Sequence, residues 1–323
     1  MHFQAEKVTD IAVVIPFRGR WNSVLPTLEA LSAQSVRPRI TVVLSVDGMA
    51  EPPDEIRKLV DLHINGEQKG PASARNRGWR ASSSPVVLFT DADCLPEPAW
   101  AERLAGKLEE GYQAVKGVYL SGGSSLIQRL AQVEFEERYR LMSRASVVYL
   151  ADTYSAGFSR NWLEKLDGFN ESFPLPEHED VDLSWRLIEA GGKIAFVPDA
   201  GVAHVHRATW TAYFKLKFRR GKWRIMLVRK FPARVVSDGY TPQTLKLQML
   251  FSMPLLVSLF AAPVFPVLTA ASALAFLLVC IPLIRTASAT DRSIVPVVPI
   301  FALWRAVALV SGSVCGFTSR RVI

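Results

Sequence analysis

Asp91 and Asp93 stand one residue apart in FTDADCLPEP (89–98), directly after the apolar, strand-like run PVVLF. Like charges that close cost free energy unless a cation or a set of donors lies between them. A hard divalent cation takes oxygen ligands, and Mg2+ commonly uses one or two carboxylates together with substrate phosphates. An Asp-X-Asp pair at a strand end therefore suits a metal-bound nucleoside diphosphate. The plainer alternative is an acidic pair in a solvated loop.

Three other stretches carry chemistry-bearing residues. In KGPASARNRG (69–78), Gly70-Pro71 reads as the entry to a helix, with Arg75, Asn76 and Arg77 just inside it. Donors and cations near a helix start favour an anion such as diphosphate, and an exposed basic turn is the alternative. Asp47 ends a strand before a glycine in VLSVDG, where it is either a turn residue or an acceptor for a base N–H. EHEDVD (177–182) places four acids in six residues ahead of an amphipathic helix. One of them can serve the helix start, and a general base is the sharper reading of the excess. In GVAHVHR, His204 and His206 alternate after a strand, so only one is expected to point inward, and a neutral imidazole there can complete a metal site.

These residues need a scaffold, and the first two hundred positions supply an α/β pattern. IAVVIPF (11–17), RITVVLSVD (39–47), PVVLFTD (85–91) and KIAFVP (193–198) read as strands. Helical patterns fall at 22–34, 51–60, 97–109, 124–144 and 179–190. This alternation predicts a largely parallel sheet flanked by helices, with ligands beyond the carboxyl ends of its strands, where Asp47, Asp91 and Asp93 fall.

The C-terminal third differs in kind. Residues 247–284 contain no Asp, Glu, Lys or Arg, which is too long for one membrane span and enough for two short ones, with Pro263 and Pro266 near the connection. A buried hairpin is the soluble alternative. The net charge of +8 is concentrated in KLKFRRGKWRIMLVRKFPAR (215–234), where aromatic and aliphatic residues interleave with nine Lys or Arg. That composition suits anionic lipid headgroups better than nucleic acid. The last apolar stretch, 294–317, carries Arg305 in mid-run, so it is expected to lie at the interface or to pack inside protein. The basic SRRVI end is expected to stay cytoplasmic, which two spans plus one interfacial helix satisfy and three spans do not. The first ten residues lack a secretory-signal pattern, and Cys94, Cys280 and Cys315 show neither metal-ligand nor disulfide spacing, as expected for a reducing compartment. The expected organisation is a catalytic domain at 1–209, a basic interfacial segment at 210–243 and membrane-associated helices at 244–323.

As a set, VVIPFRGR (13–20), VDG (46–48), GPASARNRG (70–78), TDADC (90–94), AGFSR (156–160) and EDVDL (179–183) resemble the family 2 glycosyltransferases, over residues 11–207. The resemblance implies a GT-A fold, a Rossmann-like sheet, and inverting transfer of a sugar from a UDP-, GDP- or dTDP-sugar with Mg2+ or Mn2+. It implies that Asp47 contacts the base, Arg75 and Asn76 the ribose-diphosphate region, and Asp93 the metal. Asp91 would support ribose or metal, and His204 would be a further ligand. Pro16, Arg18, Lys69, Ala92 and Gly157 fall on the donor-binding motifs, and Asp180 would be the base, assisted by Glu179. The expected acceptor is a hydroxyl of a lipid-linked glycan at the inner face of the cytoplasmic membrane. FRRGKWR (218–224) is only faintly like the Gln-X-X-Arg-Trp motif of processive synthases. A polyprenol-phosphate glycosyltransferase, a non-catalytic relative and a nucleotidyltransferase are the competing readings. The last lacks its usual glycine-rich N-terminal loop here.

Overall fold

The computed structural model of the chain describes residues 10–173, 175, 177–236 and 238–319. The readings of residues 1–9 and of the basic end at 320–323 lie outside the described residues. The chain divides into two compact units, one of residues up to 120 together with 145–204, the other of 121–144 together with 205 onwards.

The first unit is built on a sheet of eight strands: β1 (Ile11–Phe17), β2 (Ile40–Asp47), β3 (Leu62–Gly66), β4 (Val86–Thr90), β5 (Cys94–Pro96), β6 (Ala114–Ser121), β7 (Ser155–Ser159) and β8 (Ile194–His204), in spatial order β3-β2-β1-β4-β7-β6-β8-β5. Its helices are α1 (Leu25–Ser32), α2 (Asp54–Arg57), α3 (Pro71–Arg80), α4 (Trp100–Glu109), α6 (Arg160–Lys165) and α7 (Glu179–Glu189); α5 (Leu126–Met142) belongs to the second unit. β1 and β4 are buried almost throughout, as continuous β-branched and aromatic runs require when both faces of a sheet are covered.

The expected parallel arrangement holds for β3-β2-β1-β4. It does not extend to the other half, where β4–β7, β6–β7 and β5–β8 are antiparallel. β7, SAGFS, was not visible as a strand because close packing there demands small residues rather than β-branched ones, and β6, AVKGVYLS, is interrupted by Lys116 and Gly117. A Cβ at Gly117 of β6 would lie 2.1 Å from Ser155 Oγ and 2.2 Å from the Ala200 carbonyl.

The second unit holds α5, α8 (Trp210–Lys230), α9 (Gln243–Phe260), α10 (Pro266–Thr290) and α11 (Val298–Thr318). Three of its segments, Gln243–Phe260, Pro266–Thr290 and Arg292–Thr318, are long and apolar enough to cross a membrane. One apolar cluster joins Ile127, Leu130 and Val133 of α5 to Tyr213 of α8, Phe276 and Leu283 of α10 and Phe301 of α11. Arg305 is completely buried: it donates to Gln248 Oε1 at 2.7 Å and lies 3.8 Å from Glu134. Its place is therefore inside protein, the second of the two positions open to an arginine in an apolar run.

α8 and α11 run side by side in the same direction. Trp304 Nε1 donates to the Trp210 carbonyl near their starts, and Arg229 donates to the carbonyls of Phe317 and Ser319 near their ends. Glycines permit the approach: a Cβ at Gly312 would lie 2.0 Å from the Phe218 carbonyl oxygen. Gly312→Ala should therefore destabilise by about 1–3 kcal/mol through overpacking. Gly106→Ala, on α4 with open space around it, should stabilise by about 1 kcal/mol through helix propensity. Denaturation midpoints of the two variants in detergent check both signs.

Candidate active site

The carboxyl ends of β1, β2 and β4 carry the residues expected on the donor side. Half-buried Pro16 is the penultimate residue of β1, and Arg18 follows the strand, exposed, donating to the Asp47 carbonyl at 3.1 Å. Asp47 ends β2. Its carboxylate accepts from the backbone N–H groups of Lys69 and Gly70 at 2.9 and 3.0 Å, and Arg77 lies 3.4 Å away. Asp47 thus clasps the turn into α3, where Gly70 has φ of 95° and Pro71 opens the helix. The turn reading of Asp47 is realised, and any base contact would use lone pairs beyond those two bonds. The Lys69 ammonium points to Glu67, 3.0 Å away.

From α3, Arg75 projects into the sheet end and is 3% exposed. Its two terminal nitrogens bond Glu179 Oε1 at 2.6 Å and Asp91 Oδ1 at 2.9 Å. The acidic pair after β4 and the acidic start of α7 are therefore brought to one place by one guanidinium. Burial opposes its charge, but Asp91, Glu179 and Asp180 outweigh burial and hold it more basic than usual. This resolves how Asp91 is tolerated: its partner is an arginine of the same chain.

Asn76 has a different place from the one its motif suggested. Its amide donates to the Phe169 carbonyl and Glu171 Oε1, each at 2.8 Å, and accepts from Trp79 Nε1 and Phe169 N. All four hydrogen-bonding positions of the amide are taken, so Asn76 anchors the 166–171 turn and has no capacity left for a ribose or diphosphate. Gly157 likewise lies in the core. A Cβ there would meet Leu88 at 2.5 Å and Val115 at 2.9 Å, so this glycine serves packing between strands rather than donor binding.

Asp93 and His204 meet through strand pairing. β5 pairs with β8 so that Cys94 lies opposite His204, which brings His204 Nδ1 within 3.6 Å of Asp93 Oδ1. Asp93, Cys94 and His204 form a group with potential ligand atoms within 4.8 Å of one another. Burial, and then the charges of Asp91 and Asp93, push the Cys94 thiol well above its ordinary range, so it stays protonated and is a poor ligand. An exposed carboxylate oxygen and an imidazole nitrogen remain, a mixed oxygen and nitrogen donor pair that suits Mn2+ completed by water or phosphate oxygens, with the carboxylate alone suited to Mg2+. Asp91 lies outside this group because it is held on Arg75. Ala92, between the two acids, accepts from Thr27 Oγ1 at 2.9 Å and so fixes the turn. His206 belongs to the helical unit, buried, bonded to Gln132 at 2.9 Å and stacked on Phe135.

The first turn of α7 sorts its acids. Glu179 is taken by Arg75 and by the backbone N–H of Glu177 at 2.9 Å, and Asp182 by Arg186 at 2.7 Å. Half-buried Asp180 accepts from the N–H of Val181 at 2.8 Å. Burial first, then the charges of Glu179 and Asp152, raise its carboxyl well above the usual range, with Arg75 opposing. Glu179 is thus placed to act through Arg75, and Asp180 to exchange a proton.

Asp152 was missed in the sequence, with the residues around it. The Lys116 ammonium, 1% exposed on β6, bonds both Asp152 and the Tyr154 hydroxyl. Tyr154 stacks on Tyr119, which in turn stacks on His204 with centroids 4.8 Å apart. A lysine inside the strand AVKGVYLS was the available signal, since a buried lysine needs a partner.

The arrangement is a GT-A fold with acids, an arginine and an imidazole gathered at the strand ends. Residues 12–167 match the family model described as glycosyl transferase family 2. Over that span the chain resembles the family 2 glycosyltransferases, as its motifs implied. It is 30% identical to a pre-mycofactocin glycosyltransferase of Mycobacterium tuberculosis over 61% of this chain and 43% of that protein. It is 26% identical to the glycosyltransferase AglE of Haloferax volcanii, over 67% of this chain and 73% of the other. In fold it is similar to a mannosyltransferase from Pyrobaculum calidifontis solved with GDP-Man and Mn2+, with a TM-score of 0.58 and 18% identity, over 97% of this chain and 88% of that one. The chain spans less than half the length of the mycobacterial relative.

Two outcomes follow from the buried charges. Arg75→Met strands Glu179 without its cation, and loss of one partner of a buried pair costs about 3–5 kcal/mol. Equilibrium unfolding should show this loss, and Arg75→Met with Glu179→Gln should recover part of it. For Asp180 the folded pKa is raised, so its contribution to stability is full below about pH 4 and is lost as pH rises through the raised value. Stability measured against pH should show that decline in the native protein and not in Asp180→Asn.

Proposed function

We propose that the protein is an inverting glycosyltransferase that moves a sugar from a nucleoside-diphosphate sugar to a hydroxyl of a membrane-associated acceptor. The observation that carries this reading is Arg75 bonded at once to Asp91 and Glu179, which gathers the donor-side and base-side motifs at one crevice. The similarity to named glycosyltransferases supports transfer of a sugar, and the solved mannosyltransferase holds GDP-Man and Mn2+. The donor is a UDP-, GDP- or dTDP-sugar. The acceptor is a lipid-linked glycan of surface polysaccharide or glycolipid assembly, reached at the cytoplasmic face of the inner membrane by a chain with three apolar helices.

Asp93 and His204 would hold Mg2+ or Mn2+. Such a cation neutralises charge that develops on a diphosphate leaving group. Arg75 offsets part of the negative charge of Asp91 and Glu179 and so lowers their repulsion of the incoming phosphates. Asp180 takes the proton of the acceptor hydroxyl as oxygen attacks the anomeric carbon from the face opposite the diphosphate, so configuration inverts. A carboxylate with a raised pKa is a stronger base than an exposed one. Transfer should therefore rise with pH through a limb above the ordinary carboxylate range.

Calorimetry with UDP, GDP, dTDP and CDP, with and without Mn2+, tests the donor side in detergent-purified protein. One nucleotide should bind with metal dependence, and Asp93→Ala should abolish it. Asp180→Asn should bind that nucleotide as before and lose transfer by about two to four orders of magnitude, the usual worth of a positioned base. Metal-independent binding in every case, or retained transfer in Asp180→Asn with a phosphate acceptor preferred over a hydroxyl, would sink the corresponding half of the reading.

A further inference from the structure

We infer that the helical unit is monotopic: the α9–α10 hairpin enters the bilayer from one face and turns back inside it, while α8 and α11 stay at headgroup level. The inference rests on the membrane reading above and adds which segments meet lipid, and how deeply.

α11 is flanked along its length by α8, from the Trp304–Trp210 bond to the bonds of Arg229 with Phe317 and Ser319. α8 carries eight Lys or Arg and no acid in its 21 residues. Each charge of this kind costs about 2.5–3.5 kcal/mol at the centre of a bilayer, so α8 cannot cross one. A helix laid along it in register cannot cross either, whatever its own hydropathy. The two together suit the zone where lysine and arginine meet anionic headgroups and tryptophans such as Trp210 and Trp304 are favoured.

The depth of the hairpin follows from a polar tier that joins the helices. Gln248 of α9 donates to the Val279 carbonyl of α10 at 3.1 Å and accepts from Arg305 of α11. Arg305 lies 3.8 Å from Glu134 of α5, which accepts from Lys217 of α8 at 2.6 Å. Lys215 and Arg219, two residues either side of Lys217, are exposed, which sets this tier at the headgroups rather than in hydrocarbon. Beyond the tier α9 has only residues 249–260, a rise of about 18 Å. On α10 the matching stretch is 266–278, about 20 Å. A hydrocarbon core is about 30 Å thick, so the turn at 261–265 ends past its middle and short of the far side.

The surface of this tip fits lipid tails. Phe260 is 90% exposed, Val267 81%, Val264 71%, Val257 65%, Leu250 64% and Phe265 57%. So many large apolar side chains in one contiguous hairpin mark a surface that is covered in use. The turn's own backbone bonds, Val264 N–H and Phe265 N–H to the Ala261 carbonyl, help satisfy its polar groups without water, as hydrocarbon demands.

Single cysteines at three positions test this, in the full chain with Cys315→Ser as background. Cys94 and Cys280 are buried. Glu110→Cys reports the catalytic unit, Thr318→Cys the end of α11, and Val264→Cys the turn. Sealed membrane vesicles of both orientations are treated with a membrane-impermeant maleimide. The first two cysteines should label from the same side. Val264→Cys should label from neither side, and should label fully once detergent is added. A fluorophore on that cysteine should be quenched most by lipids brominated deep in their chains. Labelling of Val264→Cys from the side opposite Glu110→Cys would establish two full spans, and labelling of Thr318→Cys from that side would make α11 a span. Either overturns the monotopic arrangement and leaves the membrane reading intact. Recovery of the chain in the soluble fraction overturns both.

Discussion

A single buried guanidinium organises the first unit. Arg75 comes from a helix that Gly70 and Pro71 start, and it reaches one acid after β4 and another at the first turn of α7. Those partners lie 16 and 104 residues away in the chain. Without the cation, a buried Glu179 and a half-buried Asp91 would face each other uncompensated, which opposes the approach of the two segments. The clasp of Asp47 on the turn into α3 and the full set of bonds on Asn76 have the same end in view: they hold the helix that carries Arg75.

With the acids on Arg75 accounted for, the remaining polar groups divide into distinct tasks. Asp93 is mostly exposed and beside an imidazole, a position for something that arrives from solvent. Asp180 is half-buried among like charges, a position that favours holding a proton. Lys116 tempers the charge of Asp152 nearby, so the depth of Asp180's perturbation depends on β6, the strand whose Tyr119 also stacks on His204.

Much of this was legible in the sequence because strong local signals were present. The buried runs of β1, β2 and β4 are dense in valine and isoleucine, and the acidic motifs stand at their ends or at a helix start. Family resemblance added the GT-A fold, and the fold comparison agrees with it. β7 was illegible for a physical reason: where neighbours press as closely as they do at Gly117 and Gly157, the chain needs glycine, alanine and serine, which carry no strand signature. Asn76 and Gly157 show a second limit. A motif gives a residue's company but not its direction, and here one amide turns to the 166–171 turn and one glycine into the core. The Asp152–Lys116 pair shows a third, since its members are far apart in the chain and joined only by sheet pairing.

The placement of α5 has a consequence for how the protein is made. Its apolar face, Ile127, Leu130 and Val133, is buried with Phe276, Leu283 and Phe301, residues some 150 positions later in the chain. During synthesis α5 emerges long before those partners exist, and β7 and β8 must join the sheet meanwhile. Contacts of such sequence separation form slowly, and an apolar helix waiting for them is prone to sticking elsewhere. A nascent chain of this design has a reason to meet a lipid surface or a chaperone before its last helices are complete.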